Sequence, residues 1–126
     1  MAIKKITENQ FQAVGNPYVF SGEDCRVIEA AAKKHQTKRA RINIHTSNEE
    51  EIHEMLIAFT NQSIVLPHNH PDKVESFHII RGRIRITFFN DDGTESPIDP
   101  VELDSDLGPY YYRLYTPTIH KVEPIT

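Results

Sequence analysis

The sequence predicts a mainly β fold, an antiparallel sandwich or barrel with one helix near its N-terminus. Two observations carry this. From about residue 38 onward, apolar side chains recur at alternate positions in several short runs set apart by turn signals, the periodicity of half-buried strands. Before that, one stretch spaces its apolar residues for a helix instead. The 126 residues suit one domain and suffice to bury a core without covalent staples. The expected organisation is a single domain over 1–126, with 1–36 as an N-terminal extension that includes the helix and 37–126 as the β-barrel.

Ser21-Gly22-Glu23-Asp24 reads as a helix N-terminus, a capping serine with an acid three residues later. Val27, Ile28, Ala31 and Ala32 then form an apolar stripe, so a helix is predicted over 22–35. Lys33 and Lys34 fall near its end, where cations suit the helix dipole. Residues 38–45 alternate strictly, with Arg39, Arg41, Asn43 and His45 on one face and Ala40, Ile42 and Ile44 on the other. The apolar face should pack against the helix or a partner chain. Residues 54–60 read as a mostly apolar strand. Val74–Ile80 and Arg83–Phe89 are the next two strands, with Gly82 at their junction. Along the second, Ile84, Ile86 and Phe88 share a face opposite Arg83, Arg85 and Thr87. Asn90-Asp-Asp-Gly93 is a hairpin signal, and strands over 110–115 and 119–123 end the series.

Composition excludes several functions. A single cysteine, Cys25, cannot form an internal disulfide, and its place in the predicted helix suits a small buried hydrophobe. A net charge of −4 argues against general nucleic-acid binding. Met1–Glu8 lacks the apolar core of a signal peptide, and no run reaches the length of a membrane span. The expectation is a cytoplasmic protein. Glu49-Glu50-Glu51 reads as a solvated loop, and His53 beside it as a loop residue or a base at a pocket rim.

The chemistry concentrates in Pro67-His68-Asn69-His70-Pro71-Asp72-Lys73-Val74-Glu75, closed by Gly82. In an extended strand, positions i and i+2 point to one face, so His68 and His70 can aim at one point. A turn through Pro71-Asp72-Lys73 can return Glu75 beside them. Two imidazoles and a carboxylate form a nitrogen/oxygen donor set suited to a divalent transition ion. His78, three residues beyond Glu75, points to the opposite strand face and reads as a surface or interface residue.

The H-x-H-x4-E-x6-G spacing is the first motif of the cupins, and the chain resembles a cupin metalloprotein. Arg39-Ala-Arg41-Ile-Asn43-Ile-His45, Met55-Leu-Ile-Ala58, the Pro67–Gly82 block and Asp91-Asp92-Gly93 follow in the order found in WbuC-type cupins, whose genes often lie in bacterial surface-polysaccharide clusters. The similarity spans roughly residues 37–122. It implies a double-stranded β-helix, the jelly-roll barrel, and a third histidine ligand from a late strand, for which His120 is the candidate. Pro117-Thr118-Ile119-His120 is contracted relative to the family's second motif and lacks its glycine and tryptophan. Six residues follow His120, fewer than the strands a cupin adds there, so a trimmed barrel or one completed by a partner chain is expected.

The implied metal site is thus His68, His70, Glu75 and His120 around one divalent transition ion: Fe, Mn, Ni, Co or Zn. Arg41, Asn43 and His45 would line the same cavity and bind a small polar or anionic metabolite; the same alternation also fits an edge strand showing its polar face to water. The expected partners are that metabolite and a second copy in a homodimer, with no nucleic acid and no membrane. The family association points to a sugar or nucleotide-sugar isomerisation or epimerisation in polysaccharide synthesis. An Fe(II)-dependent dioxygenase and a non-catalytic ligand-binding module are the alternatives.

Overall fold

The computed structural model describes residues 2–63, 65, 67, 68 and 74–125. It contains two compact units, 1–63 and 64–126. The described chain is mainly β, with one helix.

In the first unit, β1 (Ile3–Thr7), β2 (Gln10–Ala13), β3 (Arg39–Asn43) and β4 (Met55–Phe59) form one sheet in that order. The β1–β2 and β3–β4 pairs are antiparallel, whereas β2 and β3 run parallel. A parallel pair needs a crossover, and α1 (Gly22–Lys34) supplies it. Ser21 caps α1 as its sequence predicts, its Oγ accepting from the Asp24 backbone N–H at 3.1 Å. The Asp24 carboxylate is buried and accepts from the Tyr18 hydroxyl at 3.0 Å. Burial, with the bond to the Asp24 carboxylate and its charge adding to it, holds the phenol of Tyr18 far above its ordinary pKa. The helix ends at Lys34, with His35 as its C-cap.

The helical stripe and the alternating strand meet in the first core. Ile28 and Ala32 of α1 pack with Ala40 and Ile42 of β3, joined by Ile3 and Phe11. The apolar face of β3 is therefore covered by the helix. Neither β1 nor β2 announces itself in the sequence. Four of the five β1 residues are exposed, and β2 buries only Phe11 fully, so neither carries a readable alternation.

In the second unit, β6 (Arg83–Phe89) lies between β7 (Val101–Asp104) and β9 (Ile119–Pro124), all antiparallel. A separate antiparallel pair joins β5 (Glu75–His78) to β8 (Tyr111–Leu114). Ile84, Ile86 and Phe88 are buried together with Leu103 and Val122. Tyr112 of the two-stranded sheet links the two layers: its ring stacks on Phe77, with centroids 5.5 Å apart, and meets Phe88 of the other sheet edge-on at 6.3 Å. Gly82 stands where β5 leads into β6 at φ +92°, a left-handed geometry that favours glycine. Its N–H donates to Ser105 Oγ at 2.9 Å. The short β7 was absent from the sequence expectation, because Pro97 and Pro100 precede its four residues and mark the stretch as loop. Among the described residues the strands make sheets of four, two and three strands. No described helix is long and apolar enough to cross a membrane.

Ile42 and Ile86 are each 0 % exposed, so Ile42→Ala and Ile86→Ala should each cost about 2–5 kcal/mol in chemical denaturation. Ile6→Ala, on an exposed strand position, should fall within about 0.5 kcal/mol of wild type.

A second prediction concerns acid. Asp104 Oδ1 accepts from the backbone N–H groups of Asp106 and Leu107 at 2.8 and 3.2 Å, and Arg83 lies 3.4 Å from Oδ2. The two backbone bonds, with Arg83 as a smaller contribution, hold this carboxyl below the ordinary aspartate range. Its stabilisation is therefore present above an unfolded pKa of about 3.9 and is lost as pH falls through the lower folded value. Asp104→Asn should lower the melting temperature at neutral pH and flatten its decline between about pH 4 and pH 2. Parallel melting curves for the two proteins over that range would contradict the assignment.

Candidate metal centre

The second unit gathers three of the four expected ligands. His68, Glu75 and His120 each offer a ligand atom, and these atoms lie within 4.8 Å of one another. Backbone pairing brings the two histidines together. His68 N–H donates to the His120 carbonyl at 2.9 Å, and His120 N–H returns the bond to His68 at 2.8 Å. Residues that exchange both bonds in an antiparallel pair present side chains on the same face. Their rings accordingly lie 4.6 Å apart. On its other side His120 pairs with Phe88 of β6, which fixes it in the sheet.

Glu75 arrives from the other layer. Along β5, Glu75 and Phe77 are half-buried while Ser76 and His78 are exposed. The carboxylate therefore shares the inward face with Phe77, and its Oε2 reaches to 3.4 Å from His120 Nε2. His78 takes the opposite, exposed face, as the strand period requires, and meets Tyr111 edge-on. His70 and the turn through Pro71–Lys73 lie outside the described residues.

The donor set fits a transition ion. His120 is 1 % exposed, and its Nδ1 donates to the Thr118 carbonyl at 2.8 Å. That bond fixes the tautomer, so Nε2 is the nitrogen turned toward Glu75. Metal-binding histidines are held in this way, with one ring nitrogen on a carbonyl and the other directed at the ion. Ligand bonds of about 2.0–2.2 Å place neighbouring ligand atoms roughly 3.0–3.5 Å apart. The 3.4 Å between Nε2 and Oε2 falls in that range. Burial opposes a charge on the His120 ring, but the bond to Glu75, the Thr118 carbonyl and the Glu75 charge together raise its pKa above the ordinary 6.5.

Tyr112 also belongs to these surroundings, although no motif or spacing singles it out. It lies on the inner face of β8, opposite Phe77 and diagonal to Glu75, which pairs with Leu114. Its hydroxyl is buried and has no hydrogen-bond partner among the described residues. Burial, with the Glu75 charge adding to it, pushes the phenol well above its ordinary pKa, so the group remains a neutral O–H donor. A buried hydroxyl left unpaired costs about 1–3 kcal/mol. The run Tyr110-Tyr111-Tyr112 hides this residue, since strand period alone does not say which tyrosine faces inward.

Arg41, Asn43 and His45 lie in the first unit. Arg41 is exposed, Asn43 is buried and His45 is half-buried. The Gln12 side-chain amide donates to the backbone carbonyls of Asn43 and His45, at 3.1 Å in each case. His45 Nδ1 donates to the Glu54 carbonyl at 3.1 Å, and its ring stacks on His53 at 4.4 Å. A groove of about 430 Å³ runs beside His45, lined also by Glu50, Glu51 and Glu54. His53 is a loop residue whose Nε2 donates to the Asn48 carbonyl.

In ¹⁵N-labelled protein at neutral pH, the His120 ring should carry a proton on Nδ1 that exchanges slowly with solvent. A His120 protonated on Nε2 alone would contradict the tautomer.

No curated protein and no solved structure matches this chain. One family does: a domain of unknown function, DUF6016, over residues 20–97. That span holds α1, β3, β4, His68 and Glu75 and stops short of His120. Because the match covers more than half of its length, the chain belongs to the DUF6016 family.

Proposed function

We propose that this protein is a cupin-type metalloprotein that holds one divalent transition ion with His68, His70, Glu75 and His120 and uses it to bind or transform a small polar or anionic metabolite. One observation carries the reading: two imidazoles and a carboxylate from three separate segments converge inside the second unit, within 4.8 Å of one another. Core positions of a β layer are expected to be apolar, and buried ionisable groups are rare there unless they are paired or ligate a metal.

Each protein group has a part. Glu75 offsets one of the ion's two charges. His68 and His120 contribute neutral lone pairs, and the Thr118 carbonyl keeps His120 Nε2 directed inward. Bound there, such an ion supplies Lewis acidity and lowers the pKa of coordinated water. The similarity to WbuC-type cupins supports a jelly-roll barrel, a homodimer, and a sugar or nucleotide-sugar as substrate, with isomerisation or epimerisation as the chemistry. The same similarity supports Arg41, Asn43 and His45 as residues that bind a polar or anionic ligand.

Elemental analysis of protein purified without a histidine tag tests the centre. Wild type should carry about one transition ion per chain, and His68→Ala, His70→Ala and His120→Ala should each lose most of it. His78→Ala, on the outer strand face, should retain the wild-type content. Equal metal content in wild type and the three ligand variants would overturn the proposal.

A further inference from the structure

We infer that Tyr112 is a ligand-positioning residue of this centre, its hydroxyl donating a hydrogen bond to an oxygen of the small molecule that occupies the open metal positions. The inference deepens the metal-site reading and rests on it. The geometry that points to Tyr112 is independent of the motif. Its ring is fixed on two sides, stacked on Phe77 and edge-on to Phe88. A phenol held in this way cannot swing its oxygen out to solvent without breaking both contacts. That oxygen is buried, and no described protein atom accepts from it. It lies on the same inward strand face as Glu75, one register step away, and feels the charge of that carboxylate.

Buried hydroxyls normally find a partner within the protein, and an exception requires an explanation. Here the unused donor stands beside a cluster whose ion would leave positions open. Tyrosine has one donor at the end of a rigid ring, so it can select an oxygen atom at a fixed place. The class of ligand this favours is a metal-chelating molecule with an oxygen acceptor, such as a hydroxy-carbonyl or a carboxylate.

The test uses cobalt(II)-loaded full-length protein and acetohydroxamate, a small chelator with two oxygen donors, followed by the visible cobalt spectrum. Tyr112→Phe deletes a single oxygen atom. It should bind cobalt with wild-type stoichiometry and melt at or above the wild-type temperature, since an unpaired buried hydroxyl is removed. Its affinity for acetohydroxamate should fall about tenfold. Equal probe affinity in Tyr112→Phe and wild type, with both fully loaded, would overturn the inference and leave the metal site standing. So would a variant that melts well below wild type, because the hydroxyl would then have a structural partner. Failure of wild type to take up cobalt would instead remove the metal-site reading on which the inference depends.

Discussion

The second unit depends on one constraint: groups that would otherwise be charged and hydrated lie on the same inward faces as its hydrophobic residues. His120 shares its strand face with Val122, and Glu75 shares one with Phe77. Burying a carboxylate or an imidazole is costly unless each finds a partner. The structure meets this by making them partners of each other, with Thr118 and the His68 backbone completing the set. The register of β9 follows from it. Slipping β9 by one residue would turn His120 and Val122 outward and bring Lys121 and Glu123 into the layer, removing both the Glu75 partner and an apolar core residue.

The same faces that form the core also aim the donors. A period of two alternates Val122 with Lys121 and Phe77 with Ser76. The apolar residues hold the layers at a fixed separation, and Phe77, Tyr112 and Phe88 form the wedge between them. The Glu75–His120 spacing is then set by ring packing and backbone pairing, both stiffer than the side chains themselves. A donor set of this kind is pre-organised by its surroundings, which is what a metal centre requires.

The first unit solves a different problem. Its sheet is mixed, and the parallel β2–β3 pair exists because α1 crosses between them and covers their shared apolar face. The core there is small, with Ile28, Ala32, Ala40 and Ile42 at its centre. The cap at Ser21 and the buried Tyr18–Asp24 bond fix where the helix starts, and so which of its faces meets β3. Asn43 at the end of β3 and His45 two residues beyond it are tied to Gln12 through their backbone carbonyls.

The elements with strong periodicity are legible along the chain alone: α1 to within one residue of its end, β3, β4 and β6, and the opposite facing of Glu75 and His78. These follow from local rules, the helical stripe and the two-residue alternation, which act over a few neighbours. The sequence also singled out His68, His70 and Glu75 from spacing alone, of which His70 lies outside the described residues, and His120 through a family resemblance. The remaining features are non-local and emerge only when segments pack. Strands β1, β2 and β7 exist because longer strands offer them hydrogen-bonding edges, and their own residues are too polar or too few to signal it. The parallel β2–β3 pairing depends on where a helix packs. The reciprocal His68–His120 bridge joins residues far apart in the chain, and the inward tyrosine of three in a row was chosen by the register of β8 against β5. Register and pairing are properties of two segments at once, so no window of one segment contains them.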